Sequence, residues 1–284
     1  MVAAIFFPVA AYILVRAILP PLSGLLVISG MVEENFRGEK TPVPLGLVFP
    51  LTVPVVYAAL GFWRRDFSLP VLFFLLFYIT GMGFLGLCDD VLKDTGHKGF
   101  HGHFAGLTKG NLTSGAVKAL FGLGFSLVFA AGVGLWFGES PVLIVPRALV
   151  AALAANALNL FDLRPGRAVK IFFVLVFLVL LFGFYLAGGR KTVFLTFYFV
   201  LPVIGAVTAY LPYDLRARGM LGDTGANFLG AFLGGMLVLS ANSLMLWGAL
   251  AVLVFLHICA EKVSFTKVIE NNCFLRFLDK LGRD

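Results

Sequence analysis

Residues 69–90 read LPVLFFLLFYITGMGFLGLCDD: twenty residues from Leu69 to Cys88 carry no charge, and two adjacent carboxylates, Asp89 and Asp90, follow. Roughly 20 consecutive apolar residues are what an α-helix needs to cross the hydrocarbon core of a bilayer. Similar runs recur at about 2–19, 44–63, 115–137, 141–161, 168–187, 192–211, 226–242 and 243–260, which makes nine in all. Composition agrees: of 284 residues, 60% are hydrophobic and 13% charged, against roughly 25% charged in a soluble domain. Disorder needs low hydrophobicity and high charge, and a water-soluble globule needs more polar residues than this chain has. The expected fold is an all-α integral membrane protein, a polytopic bundle of about nine (nine to ten) transmembrane helices.

The net charge of +7 takes its meaning from position. With the N-terminus outside, the inner loops and the tail hold sixteen of the 22 Lys and Arg residues, and the outer loops hold four: Arg64, Arg65, Arg190 and Lys191. The positive-inside rule therefore places the N-terminus outside and the C-terminus in the cytoplasm, and a multi-pass protein of the plasma membrane is expected. The basic excess is topogenic, and nucleic acid is not an expected partner. Arg16 is the first basic residue, so Val2–Leu19 reads as a span and not as a cleavable leader. Cys88, Cys259 and Cys273 are far apart and read as small buried hydrophobes or reduced thiols. One transmembrane domain is expected over 1–260, with cytoplasmic loops at 20–43, 89–114, 161–168 and 212–225. The tail, 261–284, mixes Val263, Phe265, Ile269, Phe274, Leu278 and Leu281 with five basic residues. It reads as an amphipathic helix on the inner leaflet.

With this orientation the stretches richest in carboxylates, amides and glycine all fall on the cytoplasmic side, which suggests a cytosolic active site. Asp89 and Asp90 repel each other at a membrane boundary, and each would cost about 2.5–3.5 kcal/mol at the bilayer centre. A hard divalent cation with oxygen ligands relieves both problems, and a solvated helix end is the alternative. Asn156, Asn159 and Asp162 recur every three residues along one helical stripe. Their amides suit a base edge or a sugar hydroxyl, and Arg164 and Arg167 suit phosphate; interhelical hydrogen bonding is the plainer reading. In Gly222-Asp223-Thr224-Gly225 the glycines permit close backbone approach. A helix capped by Thr224 would then present anion-binding amides. His97, His101 and His103 lack a fourth partner for zinc and suit phosphate, headgroup or solvent contact. Arg147, deep in the fifth span, either snorkels or pairs inside the bundle.

Together these motifs resemble the polyprenyl-phosphate N-acetylhexosamine-1-phosphate transferase family. Its Asp-Asp-x-x-Lys resembles Asp89, Asp90 and Lys93; its Asn-x-x-Asn-x-x-Asp resembles Asn156, Asn159 and Asp162; its Gly-Asp-x-Gly resembles Gly222, Asp223 and Gly225. Lys40-Thr41-Pro42 resembles the family's basic entry to the second span. Order, spacing and membrane side agree over about 40–265. The chain differs where Pro165 stands in place of a second Asp, where Gly46 replaces a glycine pair, and where a histidine-rich loop and a tenth span have no counterpart.

The resemblance implies transfer of a sugar-1-phosphate from a UDP-N-acetylhexosamine to a polyprenyl (undecaprenyl) phosphate in the membrane, with release of UMP, for cell-envelope polysaccharide synthesis. It implies Mg2+, or Mn2+ in its place, held by Asp223 with Asp89 or Asp90, these three being the catalytic acids. Lys40, Lys93, Asn156, Asn159, Asp162, Arg164, Arg167, His101 and His103 would bind substrate. A homodimer is compatible with this reading. The alternative is a degenerate relative that binds polyprenyl phosphate and regulates or scaffolds envelope synthesis.

Overall fold

The computed structural model describes residues 2–63, 68–92, 114–186 and 190–283. Lys93, His97, His101 and His103 lie outside the described residues.

Among the described residues, nine long helices occupy the nine apolar runs: α1 (Val2–Ile28), α2 (Val48–Trp63), α3 (Leu69–Leu92), α4 (Ser114–Trp136), α5 (Ile144–Ala157), α6 (Arg167–Leu186), α7 (Arg190–Leu215), α8 (Gly222–Ser240) and α9 (Ser243–Lys262). Among the described residues seven of them, all but α6 and α8, form spans long and apolar enough to cross a membrane. The protein is an all-α polytopic membrane protein. Two short helices, α10 (Phe265–Asn271) and α11 (Cys273–Lys280), make up the tail.

The helix at the centre is α8. It packs against α3, α5, α6 and α2, and every residue from Thr224 to Met236 is buried. Lipid tails are as apolar as leucine, so helices associate in a bilayer mainly by close packing, which small residues permit. A Cβ on Gly230 would lie 2.5 Å from the backbone oxygen of Ala155 and 2.6 Å from that of Ala154, so only glycine allows α5 this near. α1 packs chiefly on α7, while α4 fills the corner between α3 and α5. Two buried tyrosine hydroxyls are paired across helices: Tyr78 donates to the Ala151 carbonyl over 2.7 Å, and Tyr57 donates to that of Phe199.

Several boundaries differ from those expected. α1 runs nine residues past Leu19, through Pro20 and Pro21. The two prolines remove backbone hydrogen bonds, but the buried stripe Val15, Leu19, Leu22 and Leu26 continues past them and keeps the helix docked. The expected loop 20–43 is therefore shorter, and it contains an antiparallel pair, β1 (Val32–Glu34) and β2 (Lys40–Pro42). Its turn is closed by the Asn35 side chain, whose Oδ1 accepts from the amides of Arg37 (2.8 Å) and Glu39 (3.1 Å). α3 runs past Cys88, α7 past Leu211, and α8 starts before Ala226. Asp89, Asp90, Asp214 and Asp223 thus stand on helix ends and not in loops, and their backbones are fixed by the helices. The expected single tail helix is broken at Asn272, whose side chain accepts from Leu275 N–H over 3.0 Å and so starts α11.

Candidate active site

Helix alternation brings the end of α3, the start of α4, the end of α5, the end of α7 and the start of α8 to one end of the bundle. The first interaction there is between helices. The last turn of a helix is a poor place for a carboxylate, because the helix dipole is negative there. Asp90, at the end of α3, instead lies across the start of α8: its Oδ1 accepts Asp223 N–H at 3.0 Å and its Oδ2 accepts Thr224 N–H at 2.8 Å. The Thr224 hydroxyl donates to the same Oδ2 at 2.6 Å. The cap of α8 is therefore Asp90 from another helix, and Thr224, the expected cap, is one of the groups capped. The approach is close: a Cβ on Gly86 of α3 would lie 2.3 Å from the Asp223 backbone oxygen. The turn before α8 is held from the other side by the hairpin, with Met220 N–H donating to Pro42 O at 2.9 Å and Leu45 N–H to Met220 O at 2.8 Å.

With its backbone fixed in this way, the Asp223 carboxylate meets a cation that the motifs did not single out. Lys118 Nζ lies 2.6 Å from Asp223 Oδ2 and 3.1 Å from Asp89 Oδ2. The lysine side chain is 16% exposed and both carboxylates are 26% exposed, so the triad is reachable from solvent yet largely shielded. One signal for Lys118 was present in the sequence. It is a lone cation in the first turns of an apolar helix, where the dipole repels it and an anionic partner is needed.

Two further acids stand behind this triad. α5 ends at Ala157, and a tight turn, Asn159–Phe161, delivers Asp162. The Gly222 N–H donates to its carboxylate, but desolvation first, and then the charges of Asp214, Asp223 and Asp90, hold its pKa well above the ordinary carboxylate range. Asp90 and Asp223 thus lie close enough to Asp162 for their charges to act on it. Asp214, which the motifs missed, is buried at the end of α7; it accepts Gly166 N–H, and its Oδ2 has no partner among the described residues. The hydroxyl of Tyr210, one turn earlier on α7, is likewise buried and has no partner among the described residues.

The expected Asn156–Asn159–Asp162 stripe is divided. A turn with three residues per revolution replaces the helix after Ala157, so Asp162 faces the acids while Asn156 faces α9. Asn156 Nδ2 lies 3.3 Å from His257 Nε2, and His257 Nδ1 lies 2.8 Å from Leu253 O. A carbonyl only accepts, so Nδ1 carries the proton and Nε2 accepts from the amide. Asn159 is partly buried and Lys40 is exposed at the start of β2. Arg164 lies 3.8 Å from Glu270 of the tail and 5.8 Å from the centre of the Phe36 ring. Arg167 is 3% exposed and turned wholly to the tail. Arg147 pairs with Glu139 at the opposite end of the bundle, and the three cysteines are free. Among the described residues, no three His, Cys, Asp or Glu side chains form a closed metal cage.

The molecule is thus a helical membrane protein with a shielded carboxylate–lysine site at one end of its bundle. A family model described as glycosyl transferase family 4 matches residues 72–241, a segment that contains Asp89, Asp90, Lys118, Asp162, Asp214 and Asp223; the chain belongs to that family. It is 27% identical over 278 residues to the phospho-N-acetylmuramoyl-pentapeptide-transferase of Shouchella clausii (strain KSM-K16), covering 90% of this chain and 80% of the relative. It is 28% identical over 203 residues to the enzyme of the same name from Moorella thermoacetica (strain ATCC 39073 / JCM 9320), covering 65% of this chain and 59% of the relative.

Proposed function

We propose that the chain transfers an N-acetylhexosamine-1-phosphate from a UDP-sugar to a polyprenyl phosphate at the cytoplasmic face of the plasma membrane, as a step in cell-envelope polysaccharide synthesis. The observation that carries this reading is the meeting of Asp89, Lys118 and Asp223, beside Asp162, at one end of an apolar bundle that belongs to glycosyl transferase family 4. An acceptor phosphate oxygen attacks the phosphorus that bears the sugar. The P–O bond to the uridine phosphate breaks, and UMP leaves with the bridging oxygen.

The donor set fits Mg2+. It is all oxygen, and Asp89 and Asp223 already face one cationic centre, the Lys118 ammonium. Mg2+ is ordinarily held by one or two carboxylates with water and substrate phosphates, so a closed protein cage is not required. Asp223 and Asp89 would hold the ion, which when bound would neutralise charge on the diphosphate. Asp90 keeps Asp223 in place by capping its helix. Lys118, Arg164 and Lys40 supply positive charge for phosphates, and Asn159 supplies an amide for the nucleotide or sugar, while the amide of Asn156 is taken up by His257 of α9. A phosphate monoester has its second pKa near ~6, so the acceptor is already largely dianionic at neutral pH. Asp89 therefore orients the acceptor and does not need to take its proton.

The test is UMP release by the purified chain in liposomes containing undecaprenyl phosphate, with a panel of UDP-N-acetylhexosamines. Release that requires Mg2+ and is lost in Asp223→Ala is expected. No release from any UDP-sugar, with polyprenyl phosphate still retained, would replace this reading with the non-catalytic one.

A further inference from the structure

The tail is folded onto the basic loop Arg164-Pro-Gly-Arg167 and closes Arg167 to a ligand, while the Arg164 side chain stays 35% exposed. Arg167 uses all three of its side-chain nitrogens there: Nε lies 2.7 Å from Asp279 Oδ1, Nη2 lies 3.1 Å from Asp279 Oδ2, and Nη1 donates to the Thr266 hydroxyl at 2.9 Å. A planar guanidinium that meets a carboxylate in this forked way is among the stronger and more directional pairs available. Arg283 forks the same carboxylate at 3.1 and 3.3 Å and donates from Nε to Pro165 O at 3.0 Å. Lys170 Nζ caps the end of α11 through Leu278 O (3.1 Å) and Asp279 O (2.7 Å). At the other end of the loop Phe161 stacks on Phe265, with ring centres 5.0 Å apart. The tail therefore grips both ends of the segment 161–167, and Asp162 lies between the two grips.

Charge makes one residue decisive. The loop contributes Arg164, Arg167 and Lys170, and the tail contributes Lys262, Lys267, Arg276, Lys280 and Arg283. The tail also carries Glu261, Glu270, Asp279 and Asp284, but Arg167 and Arg283, which fork one carboxylate, would repel each other without it. Asp279 is the carboxylate placed where they meet, 8% exposed and in contact with two guanidinium groups. Removing its charge leaves Arg167, nearly fully buried, facing Arg283 without the carboxylate that both of them fork, a change far more costly than losing a surface pair.

We propose that Asp279 is a positioning residue: by joining Arg167 to Arg283 it straps the C-terminal tail across the loop 161–167 and holds Asp162 against Gly222 and the acids of the active site. The tail is then part of the catalytic scaffold and not only a membrane-surface anchor. Arg167 serves the strap instead of binding phosphate. The inference rests on the transferase reading for its rate measurements, but not for its structural one.

The experiment uses the full chain in liposomes and compares wild type with Asp279→Asn, Asp279→Glu and Arg283→Gln. Hydrogen exchange of the amides between 158 and 170 and tryptic cleavage within the tail report the strap, and UMP release reports catalysis. In Asp279→Asn, loop exchange and tail cleavage should rise at least about tenfold and kcat/KM should fall at least about tenfold. Asp279→Glu, which keeps the charge, should restore both to within about threefold of wild type; Arg283→Gln should show a smaller change in the same direction. A control, Phe274→Ser with Phe277→Ser on the exposed face of α11, should leave loop exchange unchanged. If Asp279→Asn frees the tail yet leaves loop exchange and kcat/KM within twofold, the tail is an anchor only and the proposal falls. It falls equally if the tail stays protected in that variant. If Asp279→Asn cannot be recovered folded, Arg283→Gln decides by the same criteria. If wild type releases no UMP, the activity assignment fails, while loop exchange still decides the strap.

Discussion

Two consecutive helices, α8 and α9, are nearly equal in length and separated only by Ala241 and Asn242, yet they occupy opposite environments. From Thr224 to Met236 α8 is buried without a break. In α9 only Leu246 is buried, and Trp247, Val252 and Phe255 are more than half exposed. Of the two, α9 meets the hydropathy expected of a span while α8, with Asp223, Asn227 and five glycines, does not. In water the most apolar segment goes to the core; in a bilayer lipid accepts apolar side chains as readily as the core does. The centre then goes to the helix whose small residues permit close contact and whose polar residues must avoid lipid. Asp223, the acid paired with Lys118, is carried by the helix that hydropathy marks as the weaker span.

The contrast can be broken most severely at Gly230. Gly230→Leu would force a side chain into the Ala154 and Ala155 carbonyls, which cannot yield. We expect loss of monodisperse protein in detergent, whereas Phe255→Ala on α9 should be recovered normally. A smaller effect on folding but a large one on turnover is expected at Lys118. Lys118→Met removes the cation between Asp89 and Asp223, and UMP release should fall by at least about 100-fold, the scale found when a preorganised charge partner is lost.

Asp162→Asn should separate stability from function. Its carboxyl is held high by desolvation and by neighbouring acids, so the ionised form opposes folding, and the opposition grows as pH rises through the ordinary carboxylate range towards the raised value. The amide should therefore raise the metal-free Tm at pH 8 by a few degrees, on the order of 1 kcal/mol, while lowering turnover. At pH 4 the Tm gain should vanish.

The tail responds to pH with the opposite sign. Burial alone would raise the Asp279 carboxyl, but its hydrogen bonds to Arg167 and Arg283 and their charges bring it below its ordinary value. Its contribution is present above the ordinary carboxylate pKa and is lost as pH falls through the lowered one. A fluorophore on the exposed thiol of Cys273 should give a constant signal from pH 8 to 5 and change only below about 4. The smallest effect belongs to α9: Phe255→Ala, on a lipid-facing surface, should shift Tm by no more than about 0.5 kcal/mol in stability terms.

The acids of the site were legible because Asp89, Asp90, Asp162 and Asp223 interrupt apolar runs at span ends, where ionised groups are conspicuous. Their duties were less legible. Asp90 reads as a metal ligand beside Asp89; its three hydrogen bonds to the start of α8 join it to a partner 133 residues away whose adjacency no local pattern reveals. Asp214 falls in the expected loop 212–225 and gains its burial only when α7 closes on the loop at Gly166. Asn156 and Asp162 share a helical stripe only as long as the helix continues, and it tightens after Ala157.

Hydrocarbon thickness imposes a length and a polarity on every crossing segment independently of its neighbours, so the number of long helices, their approximate positions and the end of the bundle rich in acids could all be read from the chain alone. Which crossing segment lies at the centre, which carboxylate binds a lysine and which caps a helix, and which arginines the tail takes up depend on who packs beside whom. That is decided by backbone approaches such as Gly86 on Asp223 and Gly230 on Ala155, and these exist only once the helices are assembled.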